Sequence, residues 1–535
     1  MGARADELLE IASTPPGAPL PLDVRLGGHE GTIVPLGDEG MHASVSMMME
    51  ASRLVGKTLA QGGASEGAIG ALAEALDSRS ASARQVVALT LEAAAWAGMC
   101  LPQPLAARLH AIAAVPLATA AGAGVAAYTE LEAPVARFRG TVRALLTAGP
   151  QAGLAFSTAI DAETLDLPTA KMLADGALQA LGGITKTPTM TLGQERALDS
   201  AMAVATKLNA SVDELQMHHA ATHTGVLAAS AAALLAATVA KPAAAGDVAA
   251  LALNGEALQE PLLAWLRGAV EPQQREVAGS ALSALVVCGA RQLAGVPKPV
   301  GMKLMMKLKE EACADVAGAP DRTATASDPD AAPSATRLGG EAALRALVRL
   351  LGERLFEDLP LLWKTMHMPV ANPPGASLPA AAGLSYGKAF HTASVIAPTL
   401  PDVLRASHAL PLSGAALDCL GHPLVAIRNE AIGHLAAAAA SGSLRDATMA
   451  ELHTRLGAML GDAGDALLRR GAAATVVAAV RALREGAVPH VPLLLVPVLR
   501  RMSDPDEGVR DLAGEAFSEL APLLAIARGA PPPPG

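Results

Sequence analysis

The stretch most able to hold a nucleotide is Ala51-Ser-Arg-Leu-Val-Gly56-Lys57-Thr58, a relaxed phosphate-binding loop with Ala in place of the first Gly. Such a loop cradles phosphates with backbone N–H groups only where a buried strand feeds into a helix. Its flanks here, SVSMMMEAS and LAQGG, read as one amphipathic helix, which puts Lys57 on a helix surface. His218, His219 and His223 cluster on another predicted helix, where the i, i+4 pair His219 and His223 could share a metal. Ala220 stands where the H-E-x-x-H pattern needs its Glu, so a polar helix face is expected there instead. Met302, Met305 and Met306 recur at helical spacing beside Lys303, Lys307 and Lys309, which predicts a packed helix with a basic face. Asn209-Ala-Ser211 has the form of a glycosylation sequon without a secretory context. The remaining Ser, His and Asp residues form no nucleophile elbow and no carboxylate pair. The expectation is therefore no catalytic residue, no metal and no cofactor.

The elements that carry these residues are helices. Of 535 residues, 51% are hydrophobic and 17% charged, against a usual charged share of about 25%. Aromatic residues are only 2%, while alanine, the best helix former, is about a fifth of the chain. The β-branched and aromatic residues that fill sheets are scarce or scattered. An all-α protein with closely approaching helices follows. The net charge of −10 argues against a large phosphate-binding surface. Cys100, Cys288, Cys313 and Cys419 lie far apart with no C-x-x-C spacing, which suits a reducing compartment and supports neither disulfides nor a zinc site. The uncharged run Thr224–Ala240 approaches the length of a membrane span, but alanine dominates it, so a helix buried between neighbours is expected and no membrane.

Along the chain, residues 1–40 read as a flexible Pro/Gly-rich arm and 41–316 as a helical region broken by Pro and Gly. Residues 317–336, rich in Asp and Pro with no large apolar side chain, have the composition of a disordered linker, and the main boundary is expected there. Residues 337–525 follow as repeats and 526–535 as a Pro-rich tail. Within the repeats, Ile427-Arg428, Leu468-Arg469 and Val509-Arg510 are spaced 41 residues apart, each after a short turn. Ala431, Ala472 and Ala513 follow four residues on, and Leu435, Val476 and Phe517 eight on, which is one helix face written three times. Two helices per period of this length fit a HEAT-type α-solenoid, an α-α superhelix whose units bury their faces only by stacking. In such an array a turn Asp and an Arg opening the second helix bond neighbouring turns, so Arg428, Arg469, Asp504, Asp506 and Arg510 are expected to form a structural ladder. Arg345, Arg349 and Arg354 read as a solvated helix face.

Taken together, several segments resemble the TATA-binding-protein-associated factor (modifier of transcription) family of Swi/Snf-type ATPases. The strongest is LLRRGAAATVVAAVRALREGAVPHVPLLLVPVLRRMSDPDEGVRDLAGEAFSELAPLL, which looks like that family's last HEAT repeats before the ATPase. TRLGGEAALRALVRLLGERLFEDLPLLWKTM resembles a repeat ending in the turn Leu359-Pro360-Leu361-Leu362-Trp363. LDSRSASARQVVALTLEAAAWAG and YTELEAPVARFRGTVRALL resemble its central helical region, in the family's order. The resemblance implies a HEAT array with an irregular helical central region, engagement of the TATA-binding protein, a nuclear location, and an ATPase supplied in cis or trans that acts on DNA. The ATPase motifs themselves are not found in this sequence, so ATP and DNA would be met only indirectly. The other reading is a generic solenoid adaptor, of the transport-receptor or phosphatase-scaffold type.

Overall fold

The computed structural model describes residues 52–114, 167–183, 191–240, 255–268, 272–324, 333–441 and 447–527, a few positions inside these ranges excepted, with five more between 135 and 144. Among the described residues every regular element is a helix. The expected arm over 1–40 lies outside the described residues, as do 325–332 and the tail from 528. The chain divides into two compact units, Met1–Trp265 with Gln292–Pro297, and Leu266–Arg291 with Lys298–Gly535.

The first unit contains α1 (Glu66–Leu76), α2 (Ala81–Trp96), α3 (Gln103–Ala114), α4 (Leu167–Gly182) and α5 (Leu192–Ala240). α5 runs for 49 residues and packs against α2, α3 and α4. Its uncharged half is buried, with Ala228, Ala229, Ala231, Ala232, Ala233 and Ala236 all closed to solvent. Alanine's small side chain lets the neighbouring backbone come close, so this apolar run is covered by protein.

The second unit is an array of stacked helices. It begins with α6 (Pro272–Arg291), α7 (Lys298–Ala312) and α8 (Ala335–Leu351), which pack on one another. It continues through α9 (Pro360–Met366), α10 (Ala380–Ile396), α11 (Leu410–Asp418), α12 (Val425–Ala440), α13 (Ala447–Gly461), α14 (Ala466–Leu483), α15 (Val491–Arg501) and α16 (Glu507–Ala527). α10, α12, α14 and α16 stack in sequence as one layer, and α11, α13 and α15 pair with α12, α14 and α16 as the other. This is the two-helix repeat of an α-solenoid. Seven of the nine repeated positions do what their spacing predicts: Ile427, Ala431, Leu435, Ala472, Val476, Val509 and Ala513 are buried, with exposures of 1% or less, while Leu468 and Phe517 are half-buried. α7 buries Met305 and half-buries Met302 and Met306, so its methionines serve packing, but the expected basic face does not form: Lys303 is exposed, Lys307 half-buried and Lys309 buried.

The division of the chain differs from the expected one. α6 and α7, read from sequence as part of the central region, belong to the array, because α8 lies directly on them. A Cβ on Gly340 would overlap the Ala312 backbone, and Ser283 Oγ donates to the Ala343 carbonyl at 2.8 Å. The Asp/Pro-rich segment is not a free linker over its described part either: Thr323 is 1% exposed, and Ser334 caps α8 by accepting from Arg337 N. Composition signalled a solvated segment, but its short polar side chains are consumed as partners for buried groups of α12.

Helix ends repeat a conformation as well as a pattern. α8 ends at Gly352 with φ 53° and ψ −127°, and α14 ends at Arg484 with φ 52° and ψ −126°. That region costs an L side chain steric strain that glycine escapes. Between helices, a Cβ on Gly471 would overlap the Leu420 carbonyl. Two outcomes follow for thermal unfolding of the full chain: Arg484→Gly raises stability by about 1 kcal/mol, whereas Gly471→Ala lowers it by about 1–3 kcal/mol. An unchanged melting curve for Gly471→Ala would show that α14 does not lie close to the turn at Leu420.

Candidate functional site: the turn ladder and its charged joint

Each second helix opens on an arginine that folds back over its own turn. Arg428 Nη1 donates to the His422 carbonyl at 2.6 Å, Arg469 Nη1 to the Asp462 carbonyl at 3.0 Å, and Arg510 Nη1 to the Asp504 carbonyl at 2.9 Å. These bonds supply donors to turn carbonyls that have no helical partner. Arg469 then reaches one repeat forward, with Nε and Nη2 donating to the two Asp504 oxygens at 3.0 and 2.9 Å. The pair is bidentate and buried, the side chains being 5% and 0% exposed. Asp504 also accepts from Arg501 Nη1 and from Asp506 N, both at 3.0 Å. Asp506 accepts from Val509 N at the start of α16 and pairs with Arg470 at 2.7 and 2.8 Å.

Arg428 departs from the 41-residue pattern in its acidic partner. Its guanidinium, 2% exposed, pairs with Asp321 and donates from Nε to Thr323 Oγ1 at 3.2 Å. Beside it, Asn429 Nδ2 donates to the Pro320 carbonyl at 2.6 Å, and Arg322 N donates to Asn429 Oδ1 at 3.0 Å. Asp321 and Arg470 are ladder members that the repeat spacing alone does not reveal, since Asp321 lies outside any recognisable period. Burial would raise the Asp321 carboxyl, but bonds from Thr323 and the Arg428 charge hold it below its ordinary range. Asp504 is lowered in the same way by Arg469, against its burial.

A second charged constellation ties three helices together. His391 of α10, 2% exposed, sets Nδ1 2.9 Å from Glu430 Oε2 on α12 and Nε2 3.3 Å from Glu341 Oε1 on α8. Glu341 is gripped further by Arg337 at 2.9 Å and Arg345 at 3.4 Å, and Arg322 stands near Glu430. Burial alone would pull the imidazole down, but the two carboxylates overcome it and raise its pKa. Burial would likewise raise Glu341, yet His391 and Arg337 bring it to about 2. Glu430 is lowered chiefly by His391, against its burial. The joint thus sets one imidazole between two carboxylates that favour its protonated form.

The other sequence candidates are accounted for separately. Gly56, Lys57 and Thr58 lie on a helical stretch, 54–61, with Lys57 exposed and Gly56 seated against α2, where a Cβ would overlap the Thr90 carbonyl. No strand precedes them among the described residues. His218, His219 and His223 fall on α5, but their side chains lie outside the described residues. Arg345 and Arg354 are held by Glu341 and by Asp358 and Glu357, so of the three face arginines only Arg349 is an uncommitted exposed charge. The four cysteines are free thiols, and burial pushes Cys288 and Cys419 up to about 12 and Cys313 to about 11. Among the described residues no group of three His, Cys, Asp or Glu side chains could hold a metal.

No family model matches the chain. The TATA-binding protein-associated factor BTAF1 of Arabidopsis thaliana is 32% identical over 209 residues, 37% of this chain and 10% of that protein. TATA-binding protein-associated factor 172 of Homo sapiens is 31% identical over 213 residues, again 37% of this chain and 11% of the relative. Over that stretch this chain is similar to the TATA-binding-protein-associated factors. The matched part spans about a tenth of each relative's length. A chain from the solved structure of Kap95p with RanGDP covers 98% of this chain and 61% of its own length, at 12% identity and a TM-score of 0.34. The assignment as an all-α solenoid rests on the helices described above.

Two outcomes test the site. Asp504→Ala leaves a buried guanidinium without its carboxylate and costs about 3–5 kcal/mol in chemical denaturation, while Asp506→Ala, nearer the surface, costs less. His391→Gln loses most at low pH. A raised histidine gives its stability fully below its unfolded value of about 6.5 and loses it as pH climbs through the folded one. The lowered carboxylates act oppositely, losing theirs as pH falls below about 4.5. The stability gap between wild type and His391→Gln is therefore widest between about pH 4.5 and 6.5 and narrows as pH rises through the raised folded value; a gap that grows with pH would overturn this reading of the joint.

Proposed function

We propose that this chain is a non-catalytic HEAT-repeat scaffold of a TATA-binding-protein-associated transcription regulator. In this reading it works in the nucleus, engages the TATA-binding protein, and positions a Swi/Snf-type ATPase, in cis or in trans, that removes that protein from DNA. The observation that carries it is the similarity of about a third identity over 209 residues to a TATA-binding-protein-associated factor, on a chain built as a helical array. A solenoid suits the role physically. Turns and helix ends offer a long surface that grips a folded protein without any reacting side chain. The ladder keeps that surface rigid, so little ordering entropy is lost when a partner binds.

Binding is tested by mixing the purified chain with the TATA-binding protein and following co-migration on a sizing column, with and without TATA-box DNA. A stable complex is expected, together with no ATP hydrolysis by the chain alone and no change on Lys57→Ala. Absence of a complex, with or without an added Swi/Snf-type ATPase domain, would remove the TATA-binding protein from the reading.

A further inference from the structure

We infer that the outward face of α15 is a docking surface for a single acidic amphipathic helix of another protein. α15 turns Val491, Leu494 and Val498 into the core. On its opposite side Leu493 is 58% exposed, Val496 51% and Leu499 43%, with Met502 at 41% in the turn beyond. Pro492, Leu493, Val496, Leu499 and Arg500 are all exposed, and their spacing makes them one stripe of the helix.

The helices on either side of α15 in sequence show no such row of large aliphatic side chains among their described residues. On α13, whose Leu452, Leu456 and Leu460 point inward, the exposed residues include Thr454, Ala458 and Gly461. On α16 they include Glu507, Asp511 and Ser518. A solvated outer face is thus what the neighbouring helices carry, and α15 departs from it with large aliphatic side chains. Water-exposed leucine and valine in a row mark a surface that another protein covers.

Size and charge select the occupant. α15 has 11 residues, a length of about 16 Å. A strip that short and one helix wide falls well below the ~800 Å² per partner of a standard interface, which favours one laid-in helix over a second copy of the chain. α15 contains no acidic residue and ends on Arg500 and Arg501. Arg501 is committed to Asp504, whereas Arg500 is exposed and in no ion pair among the described residues. Arg500 lies seven residues after Leu493 and four after Val496, so an uncommitted guanidinium rims the stripe. Pro497 has no N–H, which leaves the Leu493 carbonyl without its usual helical donor in the middle of the same strip. Leucine-type side chains with flanking carboxylates and a side-chain donor answer all three features.

The experiment uses the full chain and two fluorescent model peptides of about five helical turns, alike in their leucine face and flanked by Glu in one and by Lys in the other. Anisotropy is expected to show binding of the Glu-flanked peptide, weakened by salt, and at least tenfold weaker binding of the Lys-flanked one, about 1.4 kcal/mol or more. Val496→Glu should lose the Glu-flanked peptide, and Arg500→Glu should reverse the preference while the melting temperature stays at the wild-type value. Equal binding of both peptides, no binding of either, or indifference to both substitutions would overturn the proposal. So would wild-type dimerisation that Val496→Glu abolishes, or binding of anionic phospholipid vesicles in place of the peptides.

Discussion

A guanidinium withdrawn from water must be met by carboxylate and carbonyl oxygens on every side, and the array is arranged around that demand. Arg428 and Arg469, both buried, stand where a second helix begins with the preceding turn wrapped over the guanidinium, and the half-exposed Arg510 repeats only the bond to its own turn. The turn cannot open without stranding the charge. Because Arg469 spends its remaining donors on Asp504 of the following turn, one repeat's turn geometry becomes the next repeat's constraint. Apolar stacking supplies the free energy of the array but is indifferent to small slides; the bidentate pair is directional and removes that freedom.

The same logic explains why the Asp/Pro-rich segment is part of the fold. Arg428 sits at the same place in its helix as Arg469, and its carboxylate is provided by Asp321, from a segment whose composition suggests solvation. Asn429 fastens the segment again through the Pro320 carbonyl. A few polar side chains thus hold a stretch that has almost nothing apolar to bury. Nearby, His391 joins α8, α10 and α12 by placing one imidazole between two carboxylates. Charge is scarce in this chain, at 17% of residues, and much of the charge in this unit is used inside the array between layers.

Small residues carry the other half of the construction. Gly340 and Gly471 stand where a neighbouring backbone passes too close for any Cβ, and the alanine-rich face of α5 lets three other helices approach it. Close approach spreads dispersion contact evenly along each interface, which compensates for an aromatic content of 2%. Among the described residues large exposed aliphatics are few, so the row on α15 stands out against neighbouring helices whose exposed residues are small or polar.

The sequence by itself determined the fold class, since alanine abundance and scarce sheet formers leave only helices, and a 41-residue recurrence of one helix face requires stacking. It also marked Arg428, Arg469 and Arg510 as equivalent, and predicted the helical stretch on which Lys57 lies. Periodicity speaks only of contacts that repeat. The Asp321 partner of Arg428, the Glu341–His391–Glu430 joint and the place of α6 and α7 in the array were decided by tertiary structure, because each joins residues with no common period. Which outer face stays wet was also beyond the pattern: Leu493 and Val496 have the composition of a core, and only the packing of Leu494 and Val498 beneath them turns that stripe outward.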